Sequence, residues 1–200
     1  MSNDGVNTTR RRFLTASTSV VGAAGVVGVA VPFVGSWNPS AKAKAAGAPV
    51  KFDVSKLEPG EMKVVEWRGK PVYVVRRTAQ AVADLKGLDG SLKDPESAAV
   101  TQQPEYAAGV ERSINPEFMV LVGLCTHLGC APKYRPEVGT VPTSDGSEWI
   151  GGFFCPCHGS MFDLSGRVYK GVPASANLLV PPYSFESDSV IVIGVDQETV

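Results

Sequence analysis

Hydrophobic and polar positions divide the chain into two unequal parts. No charged residue occurs from Phe13 through Ala41. Within that stretch residues 14–35 are apolar or small, and as a helix rising ~1.5 Å per residue they reach ~33 Å, enough for a hydrocarbon core of ~30 Å. From Val50 the pattern changes to short runs typical of strands. Residues 50–54 alternate, 62–67 follow the Pro59-Gly60 turn, and 71–76 follow Arg68-Gly69-Lys70, a hairpin signal. Residues 78–85 have helical spacing, with Thr78 placed as an N-cap. Residues 86–116 are polar and punctuated by Pro and Gly, which predicts an insertion packed over a sheet. Runs at 118–123, 149–154, 161–164, 168–169 and 189–195 predict further strands, with Ser165-Gly166 and Ser187-Asp188 as turns. The expected fold is an all-β head, an antiparallel sandwich or barrel, behind one N-terminal transmembrane helix.

Between the two parts lies Ala41-Lys42-Ala43-Lys44-Ala45-Ala46-Gly47-Ala48-Pro49. Small residues with little to pack predict a linker, and residues 41–48 are the place for a hinge. The predicted organisation is a polar segment 1–13, an anchor 14–36, a linker 37–49 and a head 50–200, whose chemistry concentrates at about 118–170.

Ahead of the apolar stretch stands Thr9-Arg10-Arg11-Arg12-Phe13-Leu14, a twin-arginine pattern of the kind that exports folded proteins in bacteria. The basic side of an anchor stays in the cytoplasm, which predicts an inner-membrane protein with its head in the periplasm. A cleaved signal is the competing reading, since Ala41-Lys42-Ala43 and Ala43-Lys44-Ala45 resemble cleavage sites. An apolar run longer than the usual ~7–15-residue signal core favours the anchor.

Composition adds little: 44% hydrophobic residues and 20% charged ones suit a globular head, and a net charge of −1 gives no reason to expect nucleic acid. The distribution of cysteine and histidine adds much more. The chain has four cysteines and two histidines, and all of them lie in two hexapeptides, Cys125-Thr126-His127-Leu128-Gly129-Cys130 and Cys155-Pro156-Cys157-His158-Gly159-Ser160. Each box follows an apolar run, so each is a loop at a strand end. Zinc sites of two cysteines and two histidines usually pair C-x₂₋₄-C with H-x₃₋₅-H, whereas here each half offers one of each. A c-type haem needs C-x-x-C-H, and the second box is one residue short. One Cys and one His from each half suit a binuclear cluster in which one iron takes both cysteines and the other both histidines. Cys130 and Cys157 are left over and read as a disulfide tying the loops together, which persists in an oxidising compartment.

With C-T-H-L-G-C and C-P-C-H-G-S on a twin-arginine anchor, the chain resembles the Rieske proteins of respiratory cytochrome bc complexes. That resemblance implies one [2Fe–2S] cluster, with Cys125 and Cys155 on the inner iron and His127 and His158 on the outer one. It implies a hydrogen bond from Ser160 to a bridging sulfide, apolar cover or docking by Leu128, and His158 as the group that takes the quinol's hydrogen bond and proton. It further implies cytochrome b and a c-type cytochrome as partners in a dimeric quinol–cytochrome c reductase that contributes to the proton gradient. The small subunit of arsenite oxidase shares export signal, boxes and disulfide, but usually lacks the anchor and linker. Rieske oxygenases and their ferredoxins generally lack the extra cysteine pair. Two departures stand out. Gly159-Ser160-Met161-Phe162 has Phe where the family commonly has Tyr, and the third loop reads Gly171-Val172-Pro173-Ala174-Ser175 rather than G-P-A-P.

Overall fold

A computed structural model describes residues 5, 7–143, 146 and 148–197. It divides into two compact units, Met1–Ala45 and Ala46–Val200.

The first unit is dominated by α1 (Thr8–Gly35). Asn7 caps it, its side chain accepting from the Arg10 amide at 3.0 Å, so the helix already includes the arginine triplet. None of its residues is buried, and with an 18-residue stretch of mean hydropathy 1.8 it is long and apolar enough to cross a membrane. Composition alone suggested a loose connector after it. Instead α2 (Ala41–Ala46) is a short helix, started by Ser40, whose hydroxyl accepts from the Ala43 amide at 3.1 Å. The reason is local, because Ala and Lys rank among the best helix formers and Ser among the best caps.

The second unit is all-β, and its described residues form three three-stranded antiparallel sheets. In the first, β1 (Val50–Asp53) and β8 (Tyr183–Ser187) flank β9 (Val190–Ile193). In the second, β2 (Met62–Trp67) and β4 (Phe118–Val122) flank β3 (Lys70–Arg76). In the third, β6 (Gly152–Phe154) sits between β5 (Lys133–Arg135) and β7 (Met161–Phe162). Every residue of β4 is buried, which explains its unbroken Phe-Met-Val-Leu-Val run. Val72 and Val74 of β3, Phe153 of β6, Phe162 of β7 and Ile191 of β9 join it in a single core. Each such side chain contributes roughly 1.5–3 kcal/mol by leaving water.

The insertion is mostly irregular. It follows α3 (Ala79–Asp84), which Thr78 caps as its sequence predicts, and two short 3-10 turns, Leu85–Leu88 and Glu105–Ala107, punctuate it. Beneath it lies a polar layer of three arginines. Arg167 pairs with Asp163 at 2.7 Å with both side chains fully buried, and its other nitrogens donate to the Pro95 and Leu85 carbonyls. Arg77 donates to Pro116, Glu111, Ser165 and Ser113, and Arg112 to Ser165, Gln102, Gln103 and Leu178. Burial pulls both guanidinium groups down to about 10, and the hydrogen bonds are what make such placement tolerable.

The two box loops as a candidate metal centre

The third sheet positions the chemistry. Residues 125–130 leave β4 and lead toward β5, and residues 155–160 connect β6 to β7, whose last pair is Phe154 with Met161. Both loops fold the same way. The Cys125 amide donates to the Cys130 carbonyl at 2.8 Å and the Gly129 amide to the Cys125 carbonyl at 2.8 Å. In the second loop the Cys155 amide donates to the Ser160 carbonyl at 2.8 Å and the Gly159 amide to the Cys155 carbonyl at 2.9 Å. The fold needs a left-handed residue at the fifth position, and Gly129 (φ 80°) and Gly159 (φ 74°) provide it. The first cysteine of each loop therefore points inward from an equivalent position.

Cys125 and Cys155 are free and buried, and Cys130 and Cys157 are joined by a disulfide with Cα atoms 6.8 Å apart. The sulfurs of Cys130, Cys155 and Cys157 lie within 4.8 Å of one another, but the disulfide removes two of them as thiolate donors. Burial pushes the Cys125 thiol up, against the opposing hydrogen bonds of the His127 backbone and the Ser160 hydroxyl, while the neighbouring Cys155 thiol adds to the rise. The two imidazoles meet edge to face with centroids 4.8 Å apart. His127 is half-buried and its Nδ1 has no hydrogen-bond partner, whereas His158 is exposed. A buried nitrogen without a partner is costly, and that cost vanishes if a metal takes its lone pair. Two thiols and two imidazoles on matching loops thus fit a metal group held between the boxes. Leu128 stands 72% exposed at the tip of the first loop.

The residues beside the loops were less visible in the sequence. Thr126 donates to the Ala176 carbonyl at 2.6 Å, and Ser160 accepts from the Ala174 amide at 3.0 Å, so residues 171–177 form a third wall. Tyr73 of β3 donates to the Pro132 carbonyl at 3.0 Å, and its ring stacks on Phe153 with centroids 5.7 Å apart. No motif marks Tyr73; in the sequence it is one more residue of an apolar strand.

The family profile described as "Rieske [2Fe-2S] domain" matches residues 49–184. This chain belongs to the Rieske family. A second profile, described as "Ubiquitinol-cytochrome C reductase Fe-S subunit TAT signal", matches residues 1–40. The chain is 56% identical over 197 residues to the ubiquinol-cytochrome c reductase iron-sulfur subunit of Allochromatium vinosum, covering 98% of this chain and 94% of that protein. It is 43% identical over 194 residues to the protein of the same name in Blastochloris viridis, covering 96% of this chain and 97% of that one. Among solved structures, a chain of a hyperthermophilic respiratory Complex III is 28% identical with a TM-score of 0.47, covering 88% of this chain and 98% of that one. The Rieske domain here carries one [2Fe–2S] cluster, and the twin-arginine signal with its apolar helix marks an exported head on a membrane anchor.

Proposed function

We propose that this Rieske chain serves a quinol–cytochrome c reductase as a catalytic subunit, taking one electron from quinol and passing it to a c-type cytochrome. Cys125 and Cys155 hold one iron of the cluster and His127 and His158 the other, outer iron. Bound there, the cluster supplies a one-electron centre. The residues do the rest. His158 is exposed and accepts the hydrogen bond of the quinol hydroxyl, then its proton. Ser160 would supply a hydrogen bond to a bridging sulfide of the cluster, stabilising negative charge there. Leu128 covers the site and docks against the cytochrome b subunit. The head works in the periplasm, α1 remains as a single-pass inner-membrane anchor, residues 37–49 act as a hinge, and the complex is dimeric.

One observation carries the ligand assignment: two loops of the same backbone form bring two buried free thiols together with two imidazoles, one of which has an unpartnered nitrogen. Alanine substitution at each of the four positions, in the full chain purified from membranes, tests it. Each variant should lose the paramagnetic resonance signal of the reduced histidine-ligated cluster, whose average g lies below that of an all-cysteine one. A variant that keeps that signal overturns the assignment of the residue it replaces.

A further inference from the structure

The bridge between the boxes has a free thiol at its side. The sulfurs of Cys130, Cys155 and Cys157 lie within 4.8 Å of one another; Cys130 and Cys157 are bonded, and Cys155 is not. A thiol beside a disulfide is a reactive pair, because exchange needs only attack of one sulfur on another and no outside oxidant. The distance to cover is small. A disulfide measures ~2.05 Å, and a cysteine sulfur moves through much of the remaining gap by rotation about χ1.

The surroundings decide which bond would break. Cys157 is exposed whereas Cys130 is half-buried, so the electron pair of the broken bond is better solvated on the Cys157 sulfur. The other product, Cys155 joined to Cys157, must close over Pro156 alone, and the proline ring fixes a backbone torsion in a link that is already short. Both considerations favour attack on Cys130 Sγ, with Cys157 as the leaving group.

We infer that Cys155 has a second reaction besides ligation: in a chain without its cluster it exchanges into the bridge. Cys155 gives up its thiol proton and its sulfur attacks Cys130 Sγ. The Cys130–Cys155 bond forms as the Cys130–Cys157 bond breaks, and the departing Cys157 sulfur keeps the electron pair and takes up the proton. Nothing is oxidised or reduced overall, since one disulfide replaces another. The product has lost the Cys155 thiolate to a covalent bond and presents a new thiol at the exposed Cys157, so the head is closed to iron. With its lone pair on iron, Cys155 cannot attack, and a loaded chain keeps the Cys130–Cys157 bridge. The inference rests on the reading of Cys155 as a cluster ligand.

The test starts from the full chain purified from membranes with its cluster in place. Under argon, thiols are alkylated before or after a chelator removes the iron and the released sulfide is swept out. Disulfides are then mapped by peptide mass spectrometry without reductant. Before removal, Cys155 should resist alkylation and the map should show Cys130–Cys157. After removal, the Cys130–Cys155 peptide should rise about tenfold or more, with alkylation at Cys125 and Cys157 in place of the two cysteines now free, Cys125 and Cys155. An unchanged map overturns the inference. So does a Cys155–Cys157 bond, or alkylation of all four cysteines, which means that sulfide has reduced the bridge. Cys155→Ser has no attacking sulfur at this place and should keep Cys130–Cys157; a Cys125–Cys130 bond in that variant also overturns it, because position at Cys155 would then not matter. Alkylation of Cys155 in the loaded chain defeats the ligand reading instead, so the two failures are distinguishable.

Discussion

The ring of Tyr73 occupies the space that a β-carbon on Gly123 would fill. Gly123 stands two residues before Cys125, so this close approach lets β3 reach beneath the first box, where the Tyr73 hydroxyl meets Pro132 and the ring stacks on Phe153. Gly123→Ala must push the ring away, because the atoms met are rigid aromatic carbons. Overpacking of this kind costs about 1–3 kcal/mol, and here it also frees both loops. The expected outcome is a lower urea midpoint together with reduced iron per chain. A variant with unchanged stability and full iron content would show that the contact positions nothing.

The disulfide ties loops that make few contacts of their own. Cys157 is exposed and Cys130 only half-buried, so the bridge, rather than packing, keeps the loop tips together. Loss of a native disulfide typically costs about 2–5 kcal/mol. Cys130→Ala should yield a chain that reaches the membrane but retains little cluster. Normal iron and sulfide content with an unshifted midpoint would contradict this.

Phe162 is fully buried, paired with Phe153 across β6 and β7 and bridged to Val168. Its family resemblance implies a tyrosine hydroxyl donating to the Cys125 sulfur at this position, and phenylalanine has none to give. Phe162→Tyr should raise the midpoint by roughly 20–60 mV, up to a tenfold gain in electron affinity. Redox titration checks the sign; a fall or no change counts against a hydrogen bond from this site.

Much of the site could be read from the sequence because metal ligation demands particular residue types at particular spacings, and every Cys and His falls in one of two boxes. The cystine pair followed from the cysteines left over. Strands β2, β3, β4 and β9 could be read from apolar runs or alternation beside turn signals. β5 could not, since Lys133-Tyr134-Arg135 has charged ends and one half-buried ring, and its pairing with β6 is a long-range event. Tyr183 and Phe185 of β8 do alternate, but two prolines precede them and a bulge interrupts the register after Phe185. The run at 161–164 stops as strand at Phe162 because the Asp163 carboxylate accepts from the Ser165 and Arg167 amides and turns the chain. Trp149 and Ile150 likewise stay outside β6, where Gly151 (φ 94°) bends the backbone and Trp149 stacks on Tyr169. The third wall of the site, with Tyr73 and Thr126, depends on contacts between distant segments that no local pattern encodes.

Alkaline pH should weaken the head. Burial pushes the Tyr183 and Tyr134 phenols up to about 12 from an ordinary value near 10. Between those values the native state keeps protons that the unfolded chain releases, so stability falls as pH rises. It is fully present below about pH 10 and lost through pH 12. The slope approaches ~1.4 kcal/mol per pH unit for each tyrosine. Urea midpoints of the full chain and of Tyr183→Phe in detergent from pH 8 to 11.5 check the sign: the variant should lose less stability with rising pH, while the buried Arg77 and Arg112, pulled down to about 10, oppose the fall equally in both. Equal profiles would mean that the Tyr183 phenol is not protected from ionisation.

The last prediction concerns α2. A six-residue helix is far below the ~12–15 residues at which isolated helices become stable in water, and none of its side chains is buried. Its helical state therefore exchanges with an extended one at small cost. Six residues span ~9 Å as a helix and ~20 Å when extended, so the segment is a tether whose length can change. An electron carrier serving a quinol site and a cytochrome needs two docking poses, and such a segment permits both. Replacing residues 42–47 with prolines removes the helical state and stiffens the chain toward polyproline geometry. Turnover of the complex should fall several-fold while the resonance spectrum of the cluster stays as it was. Full turnover in that variant would show that the segment only tethers the head.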